Sequence, residues 1–173
     1  MTESCLFSTR DGEVTLATDP AALPADAHLV FIGSIRSPWL RREDCPKNMA
    51  AARDKGGGAT LTIAPAYRAG LAGLEAFSHV VVVSWLNHAP RDLIVQKPRH
   101  AETAKGTFAL RSPARPNPVG LHVARLVAID HAAGLVTLDA IDVLDNTPLV
   151  DLKPYFASND SIVDATHTPA DRA

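Results

Sequence analysis

Three prolines within six residues, Pro113, Pro116 and Pro118, constrain the fold of this chain more than any other feature. Proline fixes φ and lacks a backbone N–H, so this segment forms neither a helix nor a central strand. The apolar segments around it are short, and Val80–Val83 is a β-branched run that favours a strand. No regular alternation of strands and helices links these segments, which disfavours a doubly wound nucleotide fold. The pattern predicts a mainly β barrel or sandwich, antiparallel or mixed, with few helices.

Short apolar runs between turn-forming residues give the expected elements. Strands are predicted over 29–36, 59–63, 79–86, 106–110, 121–129, 135–143 and 149–152. Weak alternation at 14–17 adds an edge strand, and apolar residues three to four positions apart over 67–77 predict a short helix or helical turns. Residues 87–105 are a polar, basic connection, and connections of that length are often functional.

A length of 173 residues favours one domain. We expect an N-terminal extension over 1–27, a barrel domain over 28–160 and a frayed polar tail over 161–173. The N-terminus lacks the basic region of a secretory signal, and no apolar run approaches the ~18 residues of a membrane helix. Two cysteines are too few for a disulfide framework. These features predict a cytoplasmic protein without a membrane span.

The net charge of −2 hides an uneven distribution. Residues 88–125 hold seven basic and two acidic side chains, and residues 36–55 hold six basic and three acidic ones. The rest of the chain therefore has a net charge of −10. Two basic stretches that meet in space would face an anionic substrate. The alternative is solvated surface charge that neighbouring acids balance.

The segment Phe108–Leu121 combines the three prolines with Arg111 and Arg115. A stiff loop with two planar, always charged guanidinium groups suits the binding of a carboxylate or a phosphate. The alternative is a rigid turn between two strands. The segment Asp142–Tyr155 places acids, a lysine and a tyrosine around a tight turn, which Asp145–Asn146 can stabilise through side-chain hydrogen bonds.

Other patterns carry less chemistry. Gly56–Gly58 is not followed by the Lys-Ser or Lys-Thr of a phosphate-binding loop, so it is interpreted as a flexible connection. No two histidines stand at metal-ligand spacing with a carboxylate companion, and no metal is expected. Cys45 lies in a basic stretch that would lower its pKa; the alternative is a packing residue.

Four segments together carry a family resemblance: Ile32–Pro38, Gly73–His79, Phe108–Gly120 and Leu144–Tyr155. In this order, over residues 29–160, they resemble the TsaA-like family, whose best-known members are tRNA methyltransferases of the TrmO type. The resemblance implies a small β-barrel that dimerises and binds S-adenosylmethionine near the subunit interface. It also implies methylation of N6 of the threonylcarbamoyladenosine beside the anticodon in tRNA.

The resemblance implies roles for single residues as well. At the methyl donor it places Lys47, Asn48, Met49, Asn87, His88, Arg111, Leu121, Asp139, Ala140, Ile141 and Asp142. For contact with the tRNA it leaves Arg99, Arg115, Asn117 and Lys153. The urea-like N6 is a poor nucleophile that needs help in losing its proton, and the candidate bases are His88, Asp142 and Tyr155.

The chain departs from the family's pattern at three places. Lys47–Asn48 stands where the family has Arg-Gln, Leu86–His88 replaces a Phe-His pair, and Gln96–Arg99 replaces Arg-Pro-Pro-Arg. Two other functions therefore stay open: methylation of a small molecule, and a non-catalytic barrel that binds RNA or a partner.

Overall fold

The computed structural model describes residues 9–98 and 101–166 of the chain. Within them the chain forms nine strands: β1 Val14–Thr15, β2 Gly33–Arg36, β3 Ala59–Ile63, β4 His79–Trp85, β5 Leu93–Gln96, β6 Lys105–Gly106, β7 Val119–Asp130, β8 Leu135–Leu138 and β9 Thr147–Pro154. Six of these close a barrel in the order β2-β3-β8-β7-β4-β9, through antiparallel pairs. The predicted mainly β barrel is thereby confirmed.

Helices in the described residues are short. The α-helices are α1 Met49–Asp54 and α2 Ala157–Asp160, and the 3-10 helices are Pro20–Ala22, Pro65–Leu71, Leu74–Ala76 and Thr107–Ala109. Helix α1 begins at Asn48, whose Oδ1 accepts a hydrogen bond from the Ala51 N–H at 2.9 Å. A helix this short is unstable alone, so packing of the fully buried Ala52 helps to hold it in place.

The barrel core draws apolar side chains from every barrel strand. Along β4, and along the first half of β7, every second residue is buried, as the two-residue period of a strand requires. Each barrel strand has at least one fully buried residue. In the order β2, β3, β4, β7, β8 and β9, examples are Ile35, Leu61, Val80, Ala124, Val136 and Leu149. This shared core fixes the relative positions of the strands that carry the candidate site.

Two backbone positions require special residues. At Gly33 a Cβ would overlap the carbonyl of Thr62 across the β2–β3 pair, so only glycine fits there. Asn146 has a φ of 63°, in the left-handed region that asparagine tolerates, and it turns the chain into β9. The structure thus confirms the turn predicted at Asp145–Asn146.

A small sheet in the order β1-β5-β6 is separate from the barrel sheet and supports the proline-rich loop. Gln96, at the end of β5, is buried, and its Nε2 donates to Thr107 Oγ1 at 2.7 Å and to the Ala114 carbonyl at 2.6 Å. Glu13, just before β1, accepts a hydrogen bond from the Lys97 N–H at 2.9 Å. These bonds satisfy polar groups that the loop would otherwise bury unpaired.

Two predicted strands differ in the structure. The strand expected over 106–110 is a 3-10 turn, because Thr107 turns its hydroxyl back to the Leu93 carbonyl at 2.9 Å. The strand expected over 135–143 ends at Leu138, where the chain leaves the sheet and continues beside β7.

Three further segments differ in extent. The strand expected over 29–36 begins only at Gly33. The helical turns expected over 67–77 are confirmed as two 3-10 helices, which Gly73 separates with a φ of 86°. The connection over 87–105 contains β5, which was not predicted. Residues 167–173 of the predicted tail lie outside the described residues.

Candidate functional site

The segment that follows β8 forms one edge of the candidate site. The Asp139 N–H donates to a backbone carbonyl of β7 at 3.1 Å, and three residues later Asp142 lies against His122. Between them, Ala140 and Ile141 are fully buried and anchor the segment in the protein. The segment therefore lays two carboxylates along β7.

Arg53 ties helix α1 to this segment. Its Nε donates to Asp139 Oδ2 at 2.9 Å, and its Nη2 donates to the Val123 carbonyl at 2.8 Å. The other Asp139 oxygen accepts from the Arg125 N–H at 2.8 Å. Burial alone would raise the pKa of Asp139, but the hydrogen bonds from Arg53 and from the backbone lower it. Asp139 is thus an ionised brace between α1 and β7.

Asp142 has a different environment. Its Oδ1 lies 2.6 Å from Nδ1 of His122, whose Nε2 lies 2.9 Å from the Ser84 hydroxyl. Ser84 is fully buried and His122 is 6% exposed, whereas the Asp142 side chain is 16% exposed. Neither Ser84 nor His122 was predicted as a site residue. The available signal was their position on the inward side of β4 and β7, where polar residues are unusual.

The chain before and within α1 covers the same segment. The indole Nε1 of Trp39 donates to the Ile141 carbonyl at 2.7 Å. Among the residues predicted for the methyl donor, Met49 packs against the core, Asn48 caps α1 and Lys47 is exposed. Arg53, in the last turn of α1, also reaches this segment, so the C-terminal end of the helix lies beside Asp139.

The outer face of β7 adds an exposed apolar surface. Leu121 is 55% exposed and Val123 is 40% exposed. Arg111 is also exposed, and its Nη2 donates to the Leu121 carbonyl at 3.1 Å. Asn87 is exposed and lies just after the end of β4, which pairs with the start of β7. The structure thus brings a cation, an apolar surface and a carboxylate to one region of β7.

The three candidate bases do not lie together. His88 follows the end of β4, whereas His122, which holds Asp142, pairs with Val82 in the middle of this strand. The Tyr155 N–H donates to the His79 carbonyl at 3.0 Å, at the start of β4. With a rise of about 3.3 Å per residue, the length of β4 separates these two ends by roughly 20 Å. Asp142 therefore lies beside the middle of β4, with Tyr155 and His88 towards opposite ends of the strand.

Cys45 is a neighbour of Asp142 and is not an activated thiol. Burial raises the pKa of Cys45 to about 11, and the negative charge of Asp142 adds to the shift. The charges of Lys55 and Arg42 lower this pKa but do not offset the increase. A lowered pKa for Cys45, one of the two sequence interpretations, is therefore wrong, because desolvation outweighs the basic neighbours.

Arg115 braces the proline-rich loop from inside. Its Nη2 donates to the carbonyls of Thr107 and Leu110 at 3.1 Å and 2.8 Å. Its Nε is buried and has no hydrogen-bond partner within the described residues. In this arrangement Arg115 holds the loop in shape.

The other residues predicted for tRNA contact lie in separate places. Asn117 is exposed on the proline-rich loop, and its Oδ1 accepts from Arg91 at 3.2 Å. Lys153 is exposed on β9 and pairs with Asp151 at 2.7 Å. Arg99 lies outside the described residues.

The two basic stretches meet where Arg53 contacts the Val123 carbonyl, but they differ in how their charges are paired. In the first stretch, Arg36 and Arg41 form ion pairs with acids, as does Arg53. In residues 88–125, as far as the structure describes them, no basic side chain forms an ion pair. Acidic side chains therefore do not neutralise the positive charge of the described part of the second stretch.

Two cavities within the described residues are not lined by any residue predicted for the methyl donor. One is an open depression of about 350 Å³ between the ends of β2, β3 and β8, lined in part by Arg36, Thr60 and Asp145. The other lies beside Phe77 and Val127. The residues of the candidate site therefore lie outside both cavities.

The part of the chain that the structure describes contains no group of three metal-ligating side chains that could hold a metal ion. In the same residues, no helix has both the length and the apolar character to cross a membrane.

Comparison with known proteins places the chain in a family. Residues 34–161 match the family model described as the tRNA-methyltransferase O N-terminal domain. The probable S-adenosyl-L-methionine-binding protein VirR of Rhizobium radiobacter is 36% identical over 135 residues, which cover 77% of this chain and 74% of that protein. The tRNA (adenine(37)-N6)-methyltransferase of Escherichia coli is 34% identical over 149 residues, which cover 82% of this chain and 63% of that protein.

Solved structures agree with these relatives. A crystal structure of TrmO has a TM-score of 0.68 at 32% identity, over 83% of this chain and 64% of that chain. TrmO from Pseudomonas aeruginosa has a TM-score of 0.64 at 31% identity, over 82% of this chain and 62% of that chain. The chain thus spans less than two thirds of these solved chains. Because the family model covers most of its length, the protein belongs to the tRNA-methyltransferase O N-terminal domain family, as the sequence resemblance indicated.

Proposed function

We propose that this protein is an S-adenosylmethionine-dependent tRNA methyltransferase. Its target is N6 of adenosine 37, in the form of the threonylcarbamoyladenosine beside the anticodon, and its place of action is the cytoplasm. The observation that carries the proposal is the juxtaposition on β7 of Arg111, exposed Leu121 and the His122-bound carboxylate of Asp142. Membership of the family and the E. coli relative support it. Residues 28–160 form the catalytic unit.

The residues along β7 fit the chemistry of the methyl donor. S-adenosylmethionine has an apolar adenine face, hydroxyl groups, a carboxylate and positively charged ammonium and sulfonium groups. Leu121 and Val123 offer exposed apolar surface, and Arg111 has N–H groups left to bind a carboxylate. Asp142 Oδ2 has no hydrogen-bond partner in the described residues and can accept from a hydroxyl or ammonium group. The pocket is completed by Lys47, Asn48, Met49, Asn87, His88, Asp139, Ala140 and Ile141.

The reaction needs alignment and one proton acceptor. When bound, the methyl donor supplies an electrophilic methyl group: its S–CH3 bond breaks as the N6–CH3 bond forms, and the bonding electron pair stays on sulfur. The N6 proton passes to a base of the protein, for which Asp142, held by His122 beside β7, and His88 are the candidates. Holding the two reactants in line and excluding water supply much of the rate increase.

The basic residues of 88–125 form the tRNA side of the proposal. Their charges are not paired with acids in the described residues, so they can neutralise backbone phosphates. Asn117 stands exposed on the proline-rich loop, which Arg115 holds in a single shape at low entropy cost. Arg99 and Lys153 are the other two residues that we propose for tRNA contact.

We also propose a homodimer that uses the outer face of β7. Val119, Leu121, Val123 and Val127 are between 37% and 55% exposed along this strand, and Phe108 is 81% exposed. Exposed apolar side chains in one stripe are typical of interaction surfaces. A second copy on this face would also close the open site. Light scattering should give a dimer mass for the wild type and a monomer mass for Val127→Glu; a wild-type monomer at micromolar concentration contradicts the dimer.

A methylation assay tests the function. Purified protein is incubated with isotopically labelled S-adenosylmethionine and with tRNA that carries threonylcarbamoyladenosine. The expected result is labelled tRNA, with far less label on the same tRNA made without the threonylcarbamoyl group. Asp142→Asn is expected to lower the rate, and Glu75→Gln, a control whose side chain is 61% exposed, is expected to leave it unchanged.

The same assay separates the alternatives. Turnover of the methyl donor that does not respond to tRNA would indicate a small-molecule methyltransferase and overturn the tRNA substrate. Calorimetry that shows no binding of the methyl donor would indicate a non-catalytic barrel and overturn the enzyme.

A further inference from the structure

A chain of three polar side chains crosses the barrel wall behind the candidate site. The Ser84 hydroxyl, the His122 imidazole and the Asp142 carboxylate are linked at 2.9 Å and 2.6 Å. An ionised carboxylate only accepts hydrogen bonds, so Nδ1 of His122 carries the proton that faces Asp142. In the neutral ring Nε2 is then the acceptor for the Ser84 O–H. This order fixes both the tautomer and the orientation of His122.

The backbone at Gly120 leaves the space that these side chains occupy. Gly120 on β7 pairs with Ser84 on β4, two residues before His122 on the same inward side. A Cβ at Gly120 would overlap both the Ser84 Oγ and the His122 Nε2. Any larger residue at position 120 would displace the imidazole, so the space over Gly120 is part of the arrangement.

Stability alone does not account for these polar groups. Ser84 and His122 lie among fully buried apolar residues such as Val82, Ala124 and Leu149. In such surroundings an apolar pair of similar shape is often as stable as a hydrogen-bonded polar pair, or more stable. The polar pair fixes the orientation of the Asp142 carboxylate. Its Oδ1 is held by the hydrogen bond to His122, so that Oδ2 is the oxygen left for a ligand.

We infer that His122 is a positioning residue of the methyltransferase, supported by Ser84, and that it acts by fixing the carboxylate of Asp142. This inference rests on the proposed function. His122 touches neither substrate nor methyl donor; its effect reaches the reaction only through Asp142. Misplacement of a reacting or binding group by about 1 Å can cost about 100-fold in rate, so loss of the Nδ1 hydrogen bond has a measurable consequence.

Three variants separate positioning from packing. His122→Leu keeps the volume but removes the N–H donor, and we expect kcat/KM on threonylcarbamoylated tRNA to fall at least tenfold. His122→Asn keeps a donor near the position of Nδ1, and we expect kcat/KM to stay within about threefold of the wild type. In the double variant His122→Leu/Asp142→Asn, the loss should equal that of Asp142→Asn alone, because both changes break one unit.

Two controls read out what a structural role would do. Val136→Ala opens a cavity in the core on β8, away from the three side chains, and should lower Tm without changing kcat/KM. The His122 Nδ1–H proton resonance should be present in the wild type and shift strongly in Asp142→Asn, whatever the activity.

The outcomes are distinct. The inference is overturned if His122→Leu and His122→Asn lose equal activity, if activity follows Tm across all variants, or if the double variant loses the sum of both single losses. A wild-type protein without tRNA methylation overturns the proposed function instead, and the resonance then still reports whether His122 holds Asp142.

Discussion

Arg53 and Asp139 form a salt bridge of 2.9 Å between α1 and the segment after β8, and the same guanidinium donates to the Val123 carbonyl at 2.8 Å. One side chain thus joins three parts of the candidate site: the helix, the carboxylate segment and β7. Helix α1 has only six residues and Arg53 lies in its last turn, so this contact is a main constraint on where the C-terminal end of the helix lies.

Arg53→Ala should loosen α1 and weaken binding of the methyl donor. We expect a loss of about 1 kcal/mol in the free energy of unfolding, because the pair is partly exposed. The dissociation constant of S-adenosylhomocysteine should rise several-fold by calorimetry. Arg41→Ala is the matched control, since Arg41 pairs with Asp44 on the exposed surface of the same stretch. Equal effects of the two substitutions would contradict the role of Arg53.

Arg111→Ala should weaken the methyl donor without unfolding the protein. The guanidinium is exposed and makes one hydrogen bond, to the Leu121 carbonyl, so Tm should change little. Loss of a charged hydrogen bond to the carboxylate of the methyl donor should raise the dissociation constant about tenfold. Lys105→Ala removes a positive charge from the same basic stretch and serves as the control. An unchanged affinity in Arg111→Ala removes this residue from the pocket.

Cys45 reports on the charge of Asp142. In a Cys5→Ser background, the rate of alkylation by iodoacetamide should still be rising at pH 10, because the pKa of Cys45 is raised to about 11. Asp142→Asn removes a negative charge that raises this pKa, so the rate profile should move to lower pH. A profile that levels off below pH 9 in the wild type would contradict the burial of the thiol, and one that Asp142→Asn leaves in place would show that the two side chains are not neighbours.

Glu13 should make stability depend on acid pH. Burial would raise the pKa of Glu13, but hydrogen bonds from the Arg10 side chain and from the N–H groups of Arg10 and Lys97 lower it from 4.5 to about 2. A pKa lowered by folding stabilises the native state above the unfolded value and loses that effect as the pH falls through the folded value. Above pH 4.5, denaturant unfolding should therefore give a lower free energy of unfolding for Glu13→Gln than for the wild type.

The difference should shrink as the pH falls from 4.5 towards 2. Glu75→Gln is the control, because the Glu75 side chain is 61% exposed. A stability difference that stays constant down to pH 2 would mean that the carboxylate of Glu13 gains nothing from its charge.

Elements with a strong local signal could be predicted from the sequence. The β-branched run Val80–Val83 lies within β4, and Asp145–Asn146 forms the predicted turn because Asn146 tolerates the left-handed φ of 63°. Helix α1 was missed because six residues are too few for a periodic apolar pattern, although Asn48 is a typical N-cap. The end of β8 at Leu138 depends on contacts with β7 and leaves no local signal.

The candidate site divides in the same way. Arg111 lies in a segment that carries the family resemblance and Asp142 lies two residues before another, and the structure brings both to β7. Ser84 and His122 are 38 residues apart, and only the antiparallel register of β4 and β7 makes them neighbours. Strand pairing of that range cannot be read from local patterns, so this part of the site needed the structure.

The most direct test of the proposed methyltransferase function is to locate the transferred methyl group. The tRNA is incubated with the protein and labelled S-adenosylmethionine, then cut by a nuclease, and each fragment is weighed by mass spectrometry. We expect one labelled methyl group on N6 of threonylcarbamoyladenosine in the anticodon-loop fragment, and almost none with Asp142→Asn. Label in any other fragment, or no label from protein that binds the methyl donor, would contradict it.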